Sequence, residues 1–274
     1  MGKEKEVLWS DSLWTKRSVS TMVFKRECGM RDEDYIRKLT RTGESTVLLV
    51  RKAPQGISNR KGRLGIFPAS FNPPTMAHLA LIKEAKKGGH LDELLVLLDM
   101  AAMDKEPADA KFEDRLHMVK MVFQKDPKIS IGLSNRGLFL EKLKPLRKWY
   151  PSSVEFVFIV GFDTILRVMD GKYYRNRDRE LAQLFDECRF LVANRGDQGR
   201  KAVEKLFSER GNKRYESRIS FFTLPKRFSS LSSSVFRKMV AEGLPAKNVT
   251  PAPVARFIKK RGLYLFAEGN DLIS

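Results

Sequence analysis

Cysteine and histidine are scarce in this chain, with two of the first and ten methionines but three of the second among 274 residues. Cys28 and Cys188 are too few for a disulfide framework, which points to a reducing, intracellular setting. The expected location is cytoplasmic, with the nucleus left open. His78, His90 and His117 are scattered and have no cysteine pair beside them, so no zinc site is expected. No apolar run approaches the ~20 residues of a membrane-spanning helix, and no membrane partner is expected. The opening residues lack an apolar signal core, and their acidic side chains argue against a transit peptide. Internal repeats and low-complexity tracts are absent as well.

Positive charge is abundant. Lysine and arginine number 52 against 33 acidic residues, a formal net charge of +19. Residues 195–238 are the most lopsided stretch, with 12 Lys/Arg against 4 Asp/Glu. Such a surface attracts polyanions, whether nucleoside triphosphate or nucleic acid. The competing reading is a well-solvated charged face with no partner. The 42% hydrophobic content and the length allow a sizeable core in one large domain or a domain plus an extension.

Apolar runs bounded by turn residues alternate with helical patterns along most of the chain. Leu64-Gly-Ile-Phe67 reads as a buried strand, and Pro68 to Pro74 cannot continue it because paired prolines remove donors and fix φ. After Thr75 the pattern turns helical until Gly88-Gly89. Further strands are expected at Leu94–Leu98, Ile129–Leu133, Val154–Val160, Phe190–Ala193 and Ile219–Leu224. Helices are expected at 112–123, 138–150, between Asp163 and Asp186, at 201–209, 232–242 and 251–261. This alternation predicts an α/β protein, a doubly wound parallel sheet with C-terminal helices. Residues 1–62 read as an N-terminal extension, with a helix near 31–42 and a strand at Thr46–Val50. Residues 63–274 form the main unit.

In such a sheet, ligands sit beyond the carboxyl ends of the strands. Ser70, Asn72, Thr75, His78, Asp104, Lys105, Asp163, Asn194 and Arg195 all follow predicted strand ends. His78 lies in the first turn of a helix, beside any anion held by the free backbone N–H groups there. Ser232-Ser-Ser234 opens another helix, and Arg237 can fork onto phosphate oxygens. Blander readings stand beside these: Asp163 as a helix cap, Asp104 and Lys105 as an exposed ion pair, His90 and His117 as structural residues.

The same residues resemble a known family. Ser70-Phe-Asn-Pro-Pro-Thr-Met-Ala-His78 is similar to the HxGH-type motif of the nucleotidylyltransferases, and Leu231-Ser-Ser-Ser-Val-Phe-Arg237 to their ISSTxxR motif. Gly161-Phe-Asp163 resembles the GxD element between them, and Val192-Ala-Asn-Arg195 the strand-end arginine. The tail pieces Val240–Pro245, Pro251–Ile258 and Gly262–Tyr264 look like the C-terminal helices of nicotinamide/nicotinate mononucleotide adenylyltransferases. Thr75 stands where the motif's first histidine would be, Ala77 where its glycine would be, and Arg167 to Tyr174 is longer than the usual path to a tryptophan.

The resemblance implies a Rossmann-like fold and adenylyl transfer from ATP to nicotinamide or nicotinate mononucleotide. It implies catalytic roles for His78 and Arg237, and ATP binding by Ser70, Phe71, Asn72, Thr75, His78, Ser232, Ser233, Ser234 and Arg237. A hydroxyl at Thr75 can donate to phosphate but carries no charge. Lys105, Asp163, Tyr173 and Arg195 are the implied acceptor residues, with Tyr173 or Tyr174 in the tryptophan's stacking role. Mg²⁺ is expected to arrive on ATP oxygens rather than in a protein carboxylate cage. A different phosphate acceptor, such as pantetheine phosphate or a polyol phosphate, remains an alternative. So does a lapsed nucleotide- or RNA-binding relative; nucleic acid is the less favoured partner, and a homo-oligomer is left open.

Overall fold

The computed structural model describes residues 30–58, 61–100, 110–194, 198–209 and 211–264. Asp104, Lys105 and Arg195, named above, lie outside the described residues. So does the side chain of Asn194.

Six strands run parallel: β2 (Gly62–Ala69), β3 (Glu93–Asp99), β4 (Ile129–Ser134), β5 (Val154–Gly161), β6 (Cys188–Asn194) and β7 (Ile219–Thr223). Their central members are continuous apolar runs, as strands covered on both faces must be. All seven residues of β3 are buried. β1 (Val47–Arg51) pairs antiparallel with β4, and the sheet order is β1-β4-β3-β2-β5-β6-β7. The fold is therefore α/β, Rossmann-like and doubly wound, with one antiparallel edge strand beyond the parallel set expected from the sequence.

Helices cover both faces. On one face lie α1 (Asp32–Arg41), α2 (Met76–Gly88) and α3 (Phe112–Phe123), whose Tyr35, Leu81 and Leu116 pack with Phe67, Val96 and Leu98 of the sheet. On the other lie α4 (Phe139–Arg147), α5 (Phe162–Met169), α6 (Arg177–Glu187) and α7 (Gln198–Ser208). There Leu143, Ile165, Leu184 and Leu206 pack with Ile66, Leu97 and Phe158. Strand order reverses at β2, whose Ile66 sits beside Leu95 of β3 on one side and Phe158 of β5 on the other. α2 leaves this point on one face and α5 on the opposite face. That divergence opens a crevice at the carboxyl ends of β2 and β5.

The chain finishes with the single-turn α8 (Lys226–Ser229), then α9 (Ser233–Ala241) and α10 (Ala252–Arg261). Phe236, Val240, Val254 and Ile258 form a separate small core with Met118 of α3. This docks the start of α9 beside the crevice.

Within residues 1–62, the described part shares the sheet and the core. At the opposite end of the sheet from the crevice, the inaccessible carboxylate of Glu93 ties this part down. It accepts from Lys52 Nζ (2.5 Å), Ile57 N (2.6 Å), Ser130 Oγ (2.5 Å) and Tyr150 OH (2.5 Å). Among the described residues, no helix is long and apolar enough to cross a membrane.

Candidate active site

The crevice holds a cleft of about 210 Å³. Its first wall is the loop after β2 and the start of α2. Ser70 lines it, and the Ser70 carbonyl is held from behind by Arg115 Nη1 at 3.0 Å, which also reaches the Asp99 carbonyl at 3.2 Å. Burial pushes the Arg115 guanidinium below its usual value, against the pull of Tyr264 and Asp99. The charge thus sits directly behind the loop, in a medium that screens it poorly.

Phe71 does not face the cleft. It adopts a positive φ of 43° and is fully buried, with its ring 5.6 Å from that of Phe67 and 5.0 Å from the His78 imidazole. An apolar ring after the strand pays for a left-handed turn by filling the core, and it backs the imidazole. The Phe71 side chain thus supports the loop and the imidazole and does not itself line the cleft.

Thr75 is the N-cap of α2 and is inaccessible to solvent through its side chain and backbone. Its Oγ accepts from His78 N (3.4 Å), while its backbone N–H donates to His78 Nδ1 (2.9 Å), a reciprocal capping box. The hydroxyl also lies 3.1 Å from Nδ1. Thr75 lines the cleft, and its hydroxyl is engaged at the helix start. Because a backbone N–H can only donate, Nδ1 is the acceptor, and the neutral ring carries its proton on Nε2. His78 lines the cleft as a preset donor. Ala77, where the resembling motif has glycine, is buried on the same wall.

The start of α9 completes this side, and its three serines divide the work. Ser232 Oγ caps the helix by accepting from Val235 N (3.1 Å). Ser233 Oγ donates to the Pro73 carbonyl (2.8 Å), pinning the loop to the helix. Ser234 is exposed and lines the cleft with the other two. First-turn N–H groups of α9 add backbone donors here.

Arg237 stands beside the loop before His78. Its Nη1 donates to the Asn72 carbonyl (2.9 Å), and it is not among the residues lining the cleft. Asn72 is buried, and its Oδ1 accepts from Tyr264 OH (2.7 Å). Met76 N donates to the Val249 carbonyl (2.8 Å). The C-terminal helices therefore brace the loop at several points, with Arg237 as one of the braces.

The second wall is α5, which follows β5 without a loop. Asp163, Thr164 and Arg167 line it. At the back, Asp99, Gly137 and Phe139 close the cleft. Asp99 lies 3.4 Å from the fully buried Lys142 Nζ, which donates to the Arg136 (2.5 Å) and Gly137 (2.9 Å) carbonyls. Burial pushes the Lys142 ammonium below its usual value, and Asp99 opposes that shift.

Neither tyrosine expected to stack on a substrate ring lines the cleft. Tyr174 OH donates to the Val168 carbonyl (2.6 Å), its ring packs on the core, and burial pushes its phenol up. Tyr173 lies in a 3-10 turn with Lys172 Nζ 4.9 Å from its ring centre. The aromatic side chains that do line it are Phe67 and Phe139. Asp99, Phe139, Thr164 and Arg167 were missed by sequence reasoning. For Asp99, the acid closing the Leu94–Leu98 run was a usable signal.

A crevice at a strand-order reversal, with a histidine donor and a serine-rich helix start converging on it, defines a nucleotide-handling class of α/β protein. The chain belongs to the cytidylyltransferase-like family, whose model matches residues 66–239, from β2 to α9. A Schizosaccharomyces pombe protein named as a nicotinamide mononucleotide adenylyltransferase is 33% identical over 127 residues, which cover 45% of this chain and 49% of that protein. A Dehalococcoides mccartyi protein named as a nicotinate-nucleotide adenylyltransferase is 29% identical over 210 residues, covering 74% of this chain and 97% of that protein. The structure of Plasmodium falciparum nicotinic acid mononucleotide adenylyltransferase complexed with NaAD is similar in fold. Its TM-score is 0.57 at 20% identity, over 75% of this chain and 98% of that one.

Proposed function

We propose that this chain is an adenylyltransferase that joins ATP to nicotinamide or nicotinate mononucleotide, giving the dinucleotide and pyrophosphate. The observation that carries this reading is the convergence of the His78 Nε2 donor and the serine-bearing start of α9 on one cleft at the reversal point.

The acceptor's phosphate monoester has a second pKa of ~6 and is already largely dianionic at neutral pH. Its oxygen attacks the α-phosphorus of ATP directly, and the bond from that phosphorus to the bridging oxygen breaks as pyrophosphate leaves. No general base is required. The protein's task is to place the two phosphates in line and to stabilise charge on the transferring and leaving groups. His78 Nε2–H donates to the α- or β-phosphate. Ser234, with the first-turn N–H groups of α9, holds the triphosphate. Asp163 accepts from a ribose hydroxyl. Arg237 holds the Asn72 carbonyl and with it the loop, and its proposed contact with the β/γ-phosphates requires exchange of that bond. Arg195 keeps its proposed acceptor role from the motif match, and Lys105 from its position after the strand at Leu94–Leu98.

Among the described residues, no group of three or more His, Cys, Asp or Glu side chains is placed to hold a metal ion. The N–H and O–H donors lining the cleft suit phosphate oxygens, and Mg²⁺ bound to the ATP oxygens would neutralise phosphate charge there. A cytoplasmic site of action, expected from the cysteine content, belongs to the same proposal.

The test is incubation of the pure protein with MgATP and each mononucleotide, following dinucleotide and pyrophosphate together. Stoichiometric appearance of both supports the reading. Turnover with pantetheine phosphate or a polyol phosphate alone replaces the acceptor, and absence of turnover with every acceptor removes the activity.

A further inference from the structure

The two walls of the cleft differ in charge. On the α2/α9 side the donors are neutral: an imidazole N–H, hydroxyls and backbone N–H groups. On the α5 side, Arg167 supplies the cleft's guanidinium, and no lysine or other arginine is among the described residues that line it. Arg167 lies four residues after Asp163, so the two share one face of α5. Yet the guanidinium does not close onto that carboxylate. Among the described residues, neither a hydrogen bond nor an ion pair engages its side chain, and it is half-buried. Among the described residues, the other cations near the site hold protein groups: Arg115 the Ser70 and Asp99 carbonyls, Arg237 the Asn72 carbonyl, Lys142 the Asp99 carboxylate and the Arg136 and Gly137 carbonyls.

A half-buried guanidinium has lost part of its hydration, and an oxyanion returns what it lost through a forked, charge-assisted pair. We propose that Arg167 binds an oxyanion of the acceptor mononucleotide. The assignment rests on the adenylyl-transfer reading above. In that reading the triphosphate lies along the α2/α9 wall, and in-line attack requires the acceptor to approach the α-phosphorus from the side opposite the leaving pyrophosphate. α5 forms that opposite wall. The oxyanion is either the 5′-phosphate, present in both candidate acceptors, or the pyridine carboxylate, present in the nicotinate compound alone.

Calorimetric titration of wild type, Arg167→Gln and Arg167→Lys with each mononucleotide, and separately with MgATP, separates these cases. Loss of a charge-assisted pair weakens binding by roughly 10- to 100-fold. An equal loss for both mononucleotides in Arg167→Gln, with MgATP affinity within twofold and partial recovery in Arg167→Lys, assigns the phosphate. A loss confined to the nicotinate compound assigns the carboxylate. Unchanged affinity for both acceptors, or a loss confined to MgATP, overturns the proposal while wild-type turnover leaves the adenylyltransferase reading standing. Wild-type protein that neither binds nor adenylylates either mononucleotide overturns that reading, and the Arg167 assignment with it.

Discussion

The backbone N–H of Thr75 donates to Nδ1 of His78 at 2.9 Å, which places the proton of the neutral imidazole on Nε2. The donor is part of the main chain and has no rotamer to lose, so the ring is oriented before any substrate arrives. His78→Ala removes a preset donor to a group that gains charge in the transition state. Turnover is expected to fall about 10²- to 10³-fold, with circular dichroism and thermal unfolding little changed. Steady-state rates within threefold of wild type would take His78 out of the mechanism.

Thr75→Val tests the capping box apart from the tautomer. The site is fully buried and valine has nearly the same shape, so packing is retained while the hydroxyl that accepts from His78 N is lost. Stability is expected to drop by about 1 kcal/mol. The main-chain donor to Nδ1 survives, so the rate should fall far less than in His78→Ala. Paired denaturant titrations and rate measurements check this; equal rates for the two variants would show that the hydroxyl, not the backbone, sets the imidazole.

Tyr264→Phe removes the 2.7 Å hydrogen bond to Asn72 Oδ1 and keeps the ring against Phe236. It leaves a buried amide oxygen short of a donor, at a cost of about 1–3 kcal/mol. Because that amide belongs to the loop before His78, affinity for a non-hydrolysable ATP analogue should weaken in the same variant. Titration calorimetry that finds ATP affinity unchanged would restrict the C-terminal tyrosine to stability alone.

Much of this architecture was legible because its signals are local. Leu94–Leu98 and Val154–Val160 are apolar runs too short for helices and too continuous for a one-sided sheet, and both are central parallel strands. The helix that begins after Thr75 follows from capping. Pro68 was expected to end the strand, yet β2 continues through Pro68 and Ala69 beside Leu97 and Leu98 of β3; pairing with β5 has already ended at Ile66, so the missing N–H of Pro68 costs no bond to that neighbour. The antiparallel pairing of β1 with β4 was not legible, since periodicity names a strand but not its neighbour. Arg237 shows the same limit inside the site: its partner carbonyl at Asn72 is 165 residues away. Tyr173 and Tyr174 were placed by sequence spacing, whereas the 3-10 turn at Gly171–Tyr173 decides where their rings point.

Far from the cleft, Glu93 accepts from four donors and its side chain has no solvent exposure. Glu93→Gln keeps the volume but cannot accept at every position and leaves the Lys52 ammonium without its countercharge. Destabilisation of about 3–5 kcal/mol is expected, the cost of breaking one side of a buried pair. Adding Lys52→Met should recover part of it. A single variant whose denaturation midpoint matches wild type would mean that water enters and replaces the carboxylate.

Cys188 offers a test with a defined pH window. Its thiol is buried at the start of β6 and donates to the Leu184 carbonyl at 3.1 Å, and burial pushes its pKa above the ordinary value of 9.0. Above pH 9 the unfolded chain therefore loses this proton while the folded chain keeps it. A raised folded-state value means that the contribution to stability is whole below pH 9 and is lost as pH rises from there toward the folded value. The slope attributable to this one group approaches about 1.4 kcal/mol per pH unit. Cys188→Ala should therefore start less stable at pH 8 but lose less stability than wild type between pH 9 and 10, where the buried phenols of Tyr150 and Tyr174 act equally in both proteins. In native wild type at pH 8, iodoacetamide should leave Cys188 unmodified, and unfolding should expose it. Parallel pH slopes for the two proteins, or rapid alkylation of native Cys188 read by peptide mass spectrometry, would show that the β6 end of the sheet opens far more readily than its packing implies.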